Sequence, residues 1–211
     1  MPVMEIQGKL GPGTGTAGSV NSLRTGPTLE TIVQQLNGKY YELARLGLVY
    51  HAQTAASGVA PGTAVGTTVP YVLANPAGSG KNLVVLATTL GYVSGTLGAG
   101  LLAYVADITL TDAATTGTAI VPVNGLIGGA AGVAKPFTTA TVATSPTLVR
   151  PICSMSAFLA TTAMVPFSTV TDDVDGAIIV QPGTAIGVQG IAAAGATPLI
   201  VIAATWAEIA V

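Results

Sequence analysis

From Val59 to the C-terminus the sequence has one texture: short runs rich in Val, Ile, Thr and Tyr, separated by Gly, Pro, Asn and Asp. β-Branched and aromatic side chains suit a pleated, half-buried surface, and the punctuating residues supply the turns between such runs. The pattern predicts an all-β fold, an antiparallel sandwich or barrel. The expected strands are Val69–Ala74, Leu83–Val93, Leu101–Leu110, Ala119–Val123, Thr138–Val142, Ala157–Val165, Ala177–Gln181, Ala185–Ile191 and Leu199–Ile209. Pro76-Ala-Gly-Ser-Gly80 reads as a turn between two of them. No helical pattern separates the strands, so a parallel sheet with crossover helices has no support. No fixed repeat of the length that builds propellers or solenoids is present either.

The first 28 residues differ. Gly8, Gly11, Pro12, Gly13, Gly15, Gly18, Gly26 and Pro27 leave this stretch unable to pack a core of its own. The chain therefore divides into an extended Gly/Pro-rich N-terminal arm, residues 1–28, and a single β-sandwich domain, residues 29–211. The apolar residues of the arm, Ile6, Leu10, Val20 and Leu23, are its expected anchors on a neighbouring subunit. Residues 29–46 admit two readings. Leu29, Ile32, Val33 and Leu36 fit one face of a helix, with Thr28 as N-cap and Gly38 as its stop. Alternatively, Asn37-Gly38 is the two-residue turn of a hairpin whose second side carries Tyr40 and Tyr41, with Leu48-Val49-Tyr50 beyond. The hairpin is the preferred reading.

Only 8% of the residues are charged and 50% are hydrophobic, against about 25% charged in ordinary soluble domains. An isolated globule so short of charge associates readily. The strands point the same way. In Leu199-Ile-Val-Ile-Ala-Ala-Thr-Trp neither alternating set is polar before Thr205, so both faces need cover, from an added layer or a second subunit. Homo-oligomerisation is the expected solution.

Other partners are disfavoured. A net charge of −2, with seven scattered Lys and Arg, does not make a phosphate-binding patch, so no nucleic acid is expected. The charge-free run from Asn82 to Ala106 is long enough to span a bilayer, and Gly91-Tyr-Val-Ser-Gly95 fits GxxxG. Its apolar content is mostly Ala and Val diluted by Thr and Gly, and no Lys/Arg asymmetry orients it. It reads as strands, and no membrane partner is expected. No signal peptide opens the chain, so it is expected to stay in the cytoplasm or in what assembles there.

Candidate chemistry is sparse. Gly78-Ser-Gly-Lys-Asn82 resembles the end of a P-loop, but Asn75 and Asn82 stand where that motif needs Gly and Ser/Thr, and a β-branched run follows. A hairpin turn with a solvated Lys81 is preferred. Asp172-Asp-Val-Asp-Gly176 resembles part of a calcium loop, yet Pro182 occupies the position of the essential Glu. A solvated turn is preferred, with a cation held by Asp172, Asp173 and Asp175 left open. His51 is the only histidine and Cys153 the only cysteine, so a Cys–His dyad requires those two to meet; the bland reading is a buried, inert thiol. No nucleophile elbow is present, and the few acids lack companions for glycoside hydrolysis. The expectation is a protein without catalytic residues, metal or cofactor.

Several segments resemble a known family. Gly38-Lys-Tyr-Tyr-Glu42, Thr54-Ala-Ala-Ser-Gly-Val-Ala-Pro61 and Asn75-Pro-Ala-Gly-Ser-Gly-Lys-Asn-Leu-Val84 are similar to stretches of tailed-bacteriophage virion structural proteins. So are Pro182-Gly183-Thr-Ala-Ile186 and Trp206-Ala-Glu-Ile209. The resemblance touches most of the chain beyond residue 37. It implies a capsid cement (decoration) protein with jelly-roll-like domains, a trimer on the virion surface whose partner is the major capsid protein. The alternative it leaves open is a head-fibre or tail adhesin that binds a receptor.

Overall fold

A computed structural model describes residues 38–108, 114–142, 144–155, 169–191 and 195–211. The N-terminal arm with Ile6, Leu10, Val20 and Leu23, the first part of the 29–46 segment, and the expected strand Ala157–Val165 lie outside the described residues. From Tyr40 onward the described residues belong to one compact unit, Tyr40–Val211.

One short helix, α1 (Tyr41–Arg45), precedes eleven strands: β1 (Val49–Gln53), β2 (Thr68–Asn75), β3 (Lys81–Leu97), β4 (Leu101–Asp107), β5 (Ala114–Ala119), β6 (Val123–Asn124), β7 (Lys135–Val142), β8 (Thr147–Ser154), β9 (Val170–Val180), β10 (Thr184–Ile191) and β11 (Gly195–Ala210). They form two antiparallel sheets, a five-stranded one in the order β6-β1-β11-β3-β9 and a six-stranded one in the order β5-β7-β2-β10-β4-β8. The fold is an all-β sandwich. Among the described strands, none pairs with its neighbour in sequence, because nearly every connection carries the chain from one sheet to the other. The longest ladder joins β3 to β11, from Lys81 opposite Ala210 to Leu97 opposite Gly195.

The core lies between the sheets. From the five-stranded side come Tyr50, Leu83, Val85, Leu90, Ile202 and Trp206, and from the other Tyr71, Leu73, Leu102, Tyr104, Ile186 and Val188. Trp206 is fully buried and stacks on Tyr50, its cross-strand partner, with ring centroids 6.1 Å apart. Such a pair adds about 0.5–1.5 kcal/mol beyond area burial.

The outer faces are partly closed as well. α1 lays Leu43 and Ala44 over Val49, Leu86 and Ala207 of the five-stranded sheet. On the six-stranded sheet Val69, Val72, Val105 and Ala140 are buried with Val65 and Phe137 packed beside them. This burial exists in the isolated chain, so the two-faced strands do not by themselves require a second subunit. The added layer, offered above as the lesser explanation, accounts for the covered face under α1.

Four readings of the sequence change. The segment after Gly38 is one helical turn rather than the second side of a hairpin. Glu42 and Arg45 pair across it at 2.8 Å. The helix ends in a Schellman motif, with the Gly47 N–H donating to Ala44 O and the Leu48 N–H to Leu43 O. Gly47 sits at φ 70°, a backbone state that glycine reaches without a Cβ penalty. Second, the expected strand Ala119–Val123 straddles a crossing: β5 ends at Ala119 and β6 begins at Val123, and between them Pro122 has no N–H to give a ladder. Third, the turn after Asn75 is no hairpin, because it passes from β2 in one sheet to β3 in the other. Fourth, the acidic stretch is not a turn. Asp172 and Asp173 stand within β9, opposite Thr88 and Ala87 of β3, and the extra length is absorbed by a bulge at Asp175 and Gly176, both at positive φ. β8 was not foreseen at all, since it contains Pro151. It lies at the end of its sheet's order, where a missing N–H is tolerated.

Candidate functional site

The residues that sequence reasoning singled out as chemistry are spread over the sandwich, each with its own partners. Lys81 opens β3 and its Nζ lies 3.2 Å from Glu208 Oε2. It is an ion-pair partner, half-buried rather than solvated. Glu208 itself is fully buried. Its carboxylate accepts from the Val133 N–H at 2.9 Å and the Ala134 N–H at 3.0 Å, and the Trp206 indole N–H lies 3.5 Å away. A methyl group on Gly132 would sit 2.3 Å from Oε1, so only glycine lets the 130–134 segment approach this closely. The arrangement is a latch that ties the segment before β7 to the end of β11.

Asn75, also fully buried, holds the crossing between the sheets. Its Nδ2 donates to Lys81 O at 2.7 Å and Val180 O at 2.8 Å, and its Oδ1 accepts from the Ser79 hydroxyl. The P-loop-like glycines thus serve a side-chain-clamped turn.

A second polar group joins the sheets on another side. Arg150 of β8 donates to Asp172 of β9 at 2.6 and 3.3 Å, the Tyr104 hydroxyl donates to the same carboxylate at 2.8 Å, and the guanidinium lies 5.0 Å from the Tyr104 ring centroid. Burial above all, helped by the neighbouring carboxylate, pushes the Tyr104 hydroxyl far up. Cys153 is also raised, by burial first and Asp172 second, which keeps it a thiol and a weak nucleophile.

His51 lies on the outer face of β1 with Nδ1 2.9 Å from Thr205 Oγ1, and burial lowers its pKa. It belongs to the five-stranded sheet and Cys153 to the last strand of the six-stranded one, so the two do not form a dyad. The three acids of β9 do not converge either. Asp172 turns inward to Arg150, Asp173 is exposed, and Asp175 accepts from the Tyr40 hydroxyl. Among the described residues no group of three or more His, Cys, Asp or Glu gathers. No helix among them is long and apolar enough to cross a membrane, a statement that does not bear on β-barrels.

Comparison with family models, curated proteins and solved structures returns no match.

What stands out on the surface is apolar. Val121 and Ile127 are each 83% exposed, and Leu46, Val123 and Leu126 about half exposed. They share one region: a methyl on Gly47, next to Leu46, would touch Leu126, and Val123 pairs with His51. The loop that carries them is held firmly. Buried Asn124 donates to Gly47 O at 3.0 Å and Ala130 O at 2.9 Å and accepts from the Leu126 N–H at 2.8 Å, while the Gly129 N–H closes a turn onto Leu126 O. A second apolar feature is a groove of about 200 Å³ between β4, β8, β9 and β10, lined by Ile108, Val149 and Ile179 among others. Sequence reasoning missed the loop by running one strand through Ala119–Val123, whereas Val121 lies between β5 and β6. The available signal was Val121-Pro-Val-Asn-Gly-Leu-Ile-Gly-Gly129, an aliphatic run crowded by turn formers, which no core strand accommodates.

Proposed function

We propose that this chain is a structural subunit of a virus particle, a capsid cement protein that binds the outside of a shell built by a major capsid protein and does so as a homotrimer of jelly-roll-like domains. The trimer and the shell partner rest on the resemblance to tailed-phage virion proteins. The observation that carries the reading is the Asn124-clamped loop with Val121 and Ile127 exposed. Contiguous exposed aliphatics mark interaction surfaces on soluble proteins. A loop already fixed by hydrogen bonds gives up little conformational entropy when a partner covers it. Each such side chain gains roughly 1.5–3 kcal/mol on full burial. The buried polar clusters support the same reading, since each one joins strands or sheets. The proposal includes that the chain has no enzymatic activity.

The test is binding of purified protein to shells of the encoding phage stripped of it, followed by co-sedimentation. Val121→Asp combined with Ile127→Asp should leave the β circular dichroism spectrum unchanged and abolish co-sedimentation. Wild-type binding by this variant would remove the observation on which the reading rests.

A further inference from the structure

The centre of the sandwich contains a polar group that the packing described so far leaves unaccounted for. Tyr71, on β2, is fully buried, and its hydroxyl has no hydrogen-bond partner among the described residues. Leaving a buried hydroxyl unpaired is costly, and native structures pair nearly all such groups. Tyr71 also lines a cavity of about 10 Å³ between the sheets, together with Thr88, Tyr104, Gly187 and apolar side chains including Leu73, Val85 and Ile186. That is the size that takes one water molecule and no more. Thr88 is itself buried and lines the same cavity as Tyr104, whose hydroxyl donates to Asp172.

We propose that this cavity is a binding site for one ordered water molecule, which pairs the Tyr71 hydroxyl with Thr88 and Tyr104 and so joins it to the Tyr104–Asp172–Arg150 hydrogen bonds. The polar groups needed are present. Burial pushes the Tyr71 hydroxyl far up from its ordinary value, so it keeps its proton and donates. A water that accepts from Tyr71 has two protons left, and the oxygens of Thr88 and Tyr104 are acceptors on the same wall. The site extends a network that otherwise stops at Tyr104, and it links β2 and β4 of one sheet with β3 and β9 of the other through hydroxyls rather than apolar contact alone. A dry cavity of this size is characteristic of an apolar lining, and this lining carries three hydroxyl-bearing side chains.

Two measurements on the whole chain decide it. Water–protein cross-relaxation by NMR should show a long-lived water close to the Tyr71 ring and the Thr88 side chain, and the signal should vanish in Tyr71→Phe. The substitution keeps the ring, so it preserves the packing. With the water bound, it removes a satisfied hydrogen bond, and the folding equilibrium constant should fall about two- to tenfold. With the cavity dry, it removes an unpaired hydroxyl, and the variant should be more stable than the wild type. Absence of the long-lived water in the wild type, or stabilisation by Tyr71→Phe, overturns the proposal.

Discussion

Glu208→Ala is a substitution for which the structure predicts a large loss. The wild-type carboxylate is fully buried and accepts from the backbone N–H groups of Val133 and Ala134 while pairing with Lys81. Truncation leaves both N–H groups without an acceptor in the interior, at about 1–3 kcal/mol each. Lys81 is about a third exposed, so its ammonium turns to water and adds little. The void left by the lost side-chain atoms adds a cavity term. The sum is about 3–5 kcal/mol, the range found when one partner of a buried pair is removed. Against a typical total of about 5–15 kcal/mol, that is a large share. Urea unfolding followed by Trp206 fluorescence should show a lowered midpoint with unchanged slope, and amide exchange at Val133 and Ala134 should accelerate beyond the global change. Gly132→Ala should reproduce part of the effect, because its methyl lies 2.3 Å from Oε1 and displaces the carboxylate from the same donors. A Glu208→Ala protein within about 1 kcal/mol of wild type, an ordinary value for a point substitution, would refute the latch.

Three further outcomes follow from the same geometry. Burial holds the His51 imidazole below its usual 6.5, so the unfolded chain takes up a proton more readily than the folded one. The stability this contributes is therefore complete above pH 6.5 and falls as pH drops towards the folded value; His51→Gln should flatten that part of a stability–pH curve. Cys153, held protonated by burial and Asp172, should react with iodoacetamide at neutral pH more slowly than a free thiol and accelerate only on unfolding. Deleting residues 1–27, with the expected anchors Ile6, Leu10, Val20 and Leu23, should leave the sandwich folded by circular dichroism but weaken attachment to the proposed assembly; a truncated chain that binds as tightly would show the arm to be passive.

Strands were legible in this sequence because their signal is local. Val69–Ala74, Leu83–Val93 and Ala185–Ile191 each fall inside an observed strand, with ends displaced by at most a few residues. Their pairing was not legible. With no hydrogen-bonded neighbours in sequence among the described strands, no turn motif there reports which strand lies beside which, and Asn75–Lys81 looked like a hairpin while serving as a crossing. β8 was hidden by Pro151, and the start of β9 by acids that usually mark turns. The polar clusters were hidden for a related reason. Glu208 and Val133, or Arg150 and Asp172, meet only through tertiary structure, and nothing near Glu208 in sequence distinguishes it from a surface carboxylate. Two-faced strands called for cover, and α1, a single turn ended by Gly47, supplies part of it within the chain.

We propose that this chain is a shell component, and electron cryo-microscopy of the phage particle proposed to carry it tests this most directly. The account predicts density for the sandwich at symmetry-related positions on the outer capsid surface, in many copies per particle, with the Val121–Ile127 loop against the underlying shell. Density confined to a fibre or tail tip, a particle without the protein, or a shell-bound protein whose Val121–Ile127 loop faces solvent would contradict it.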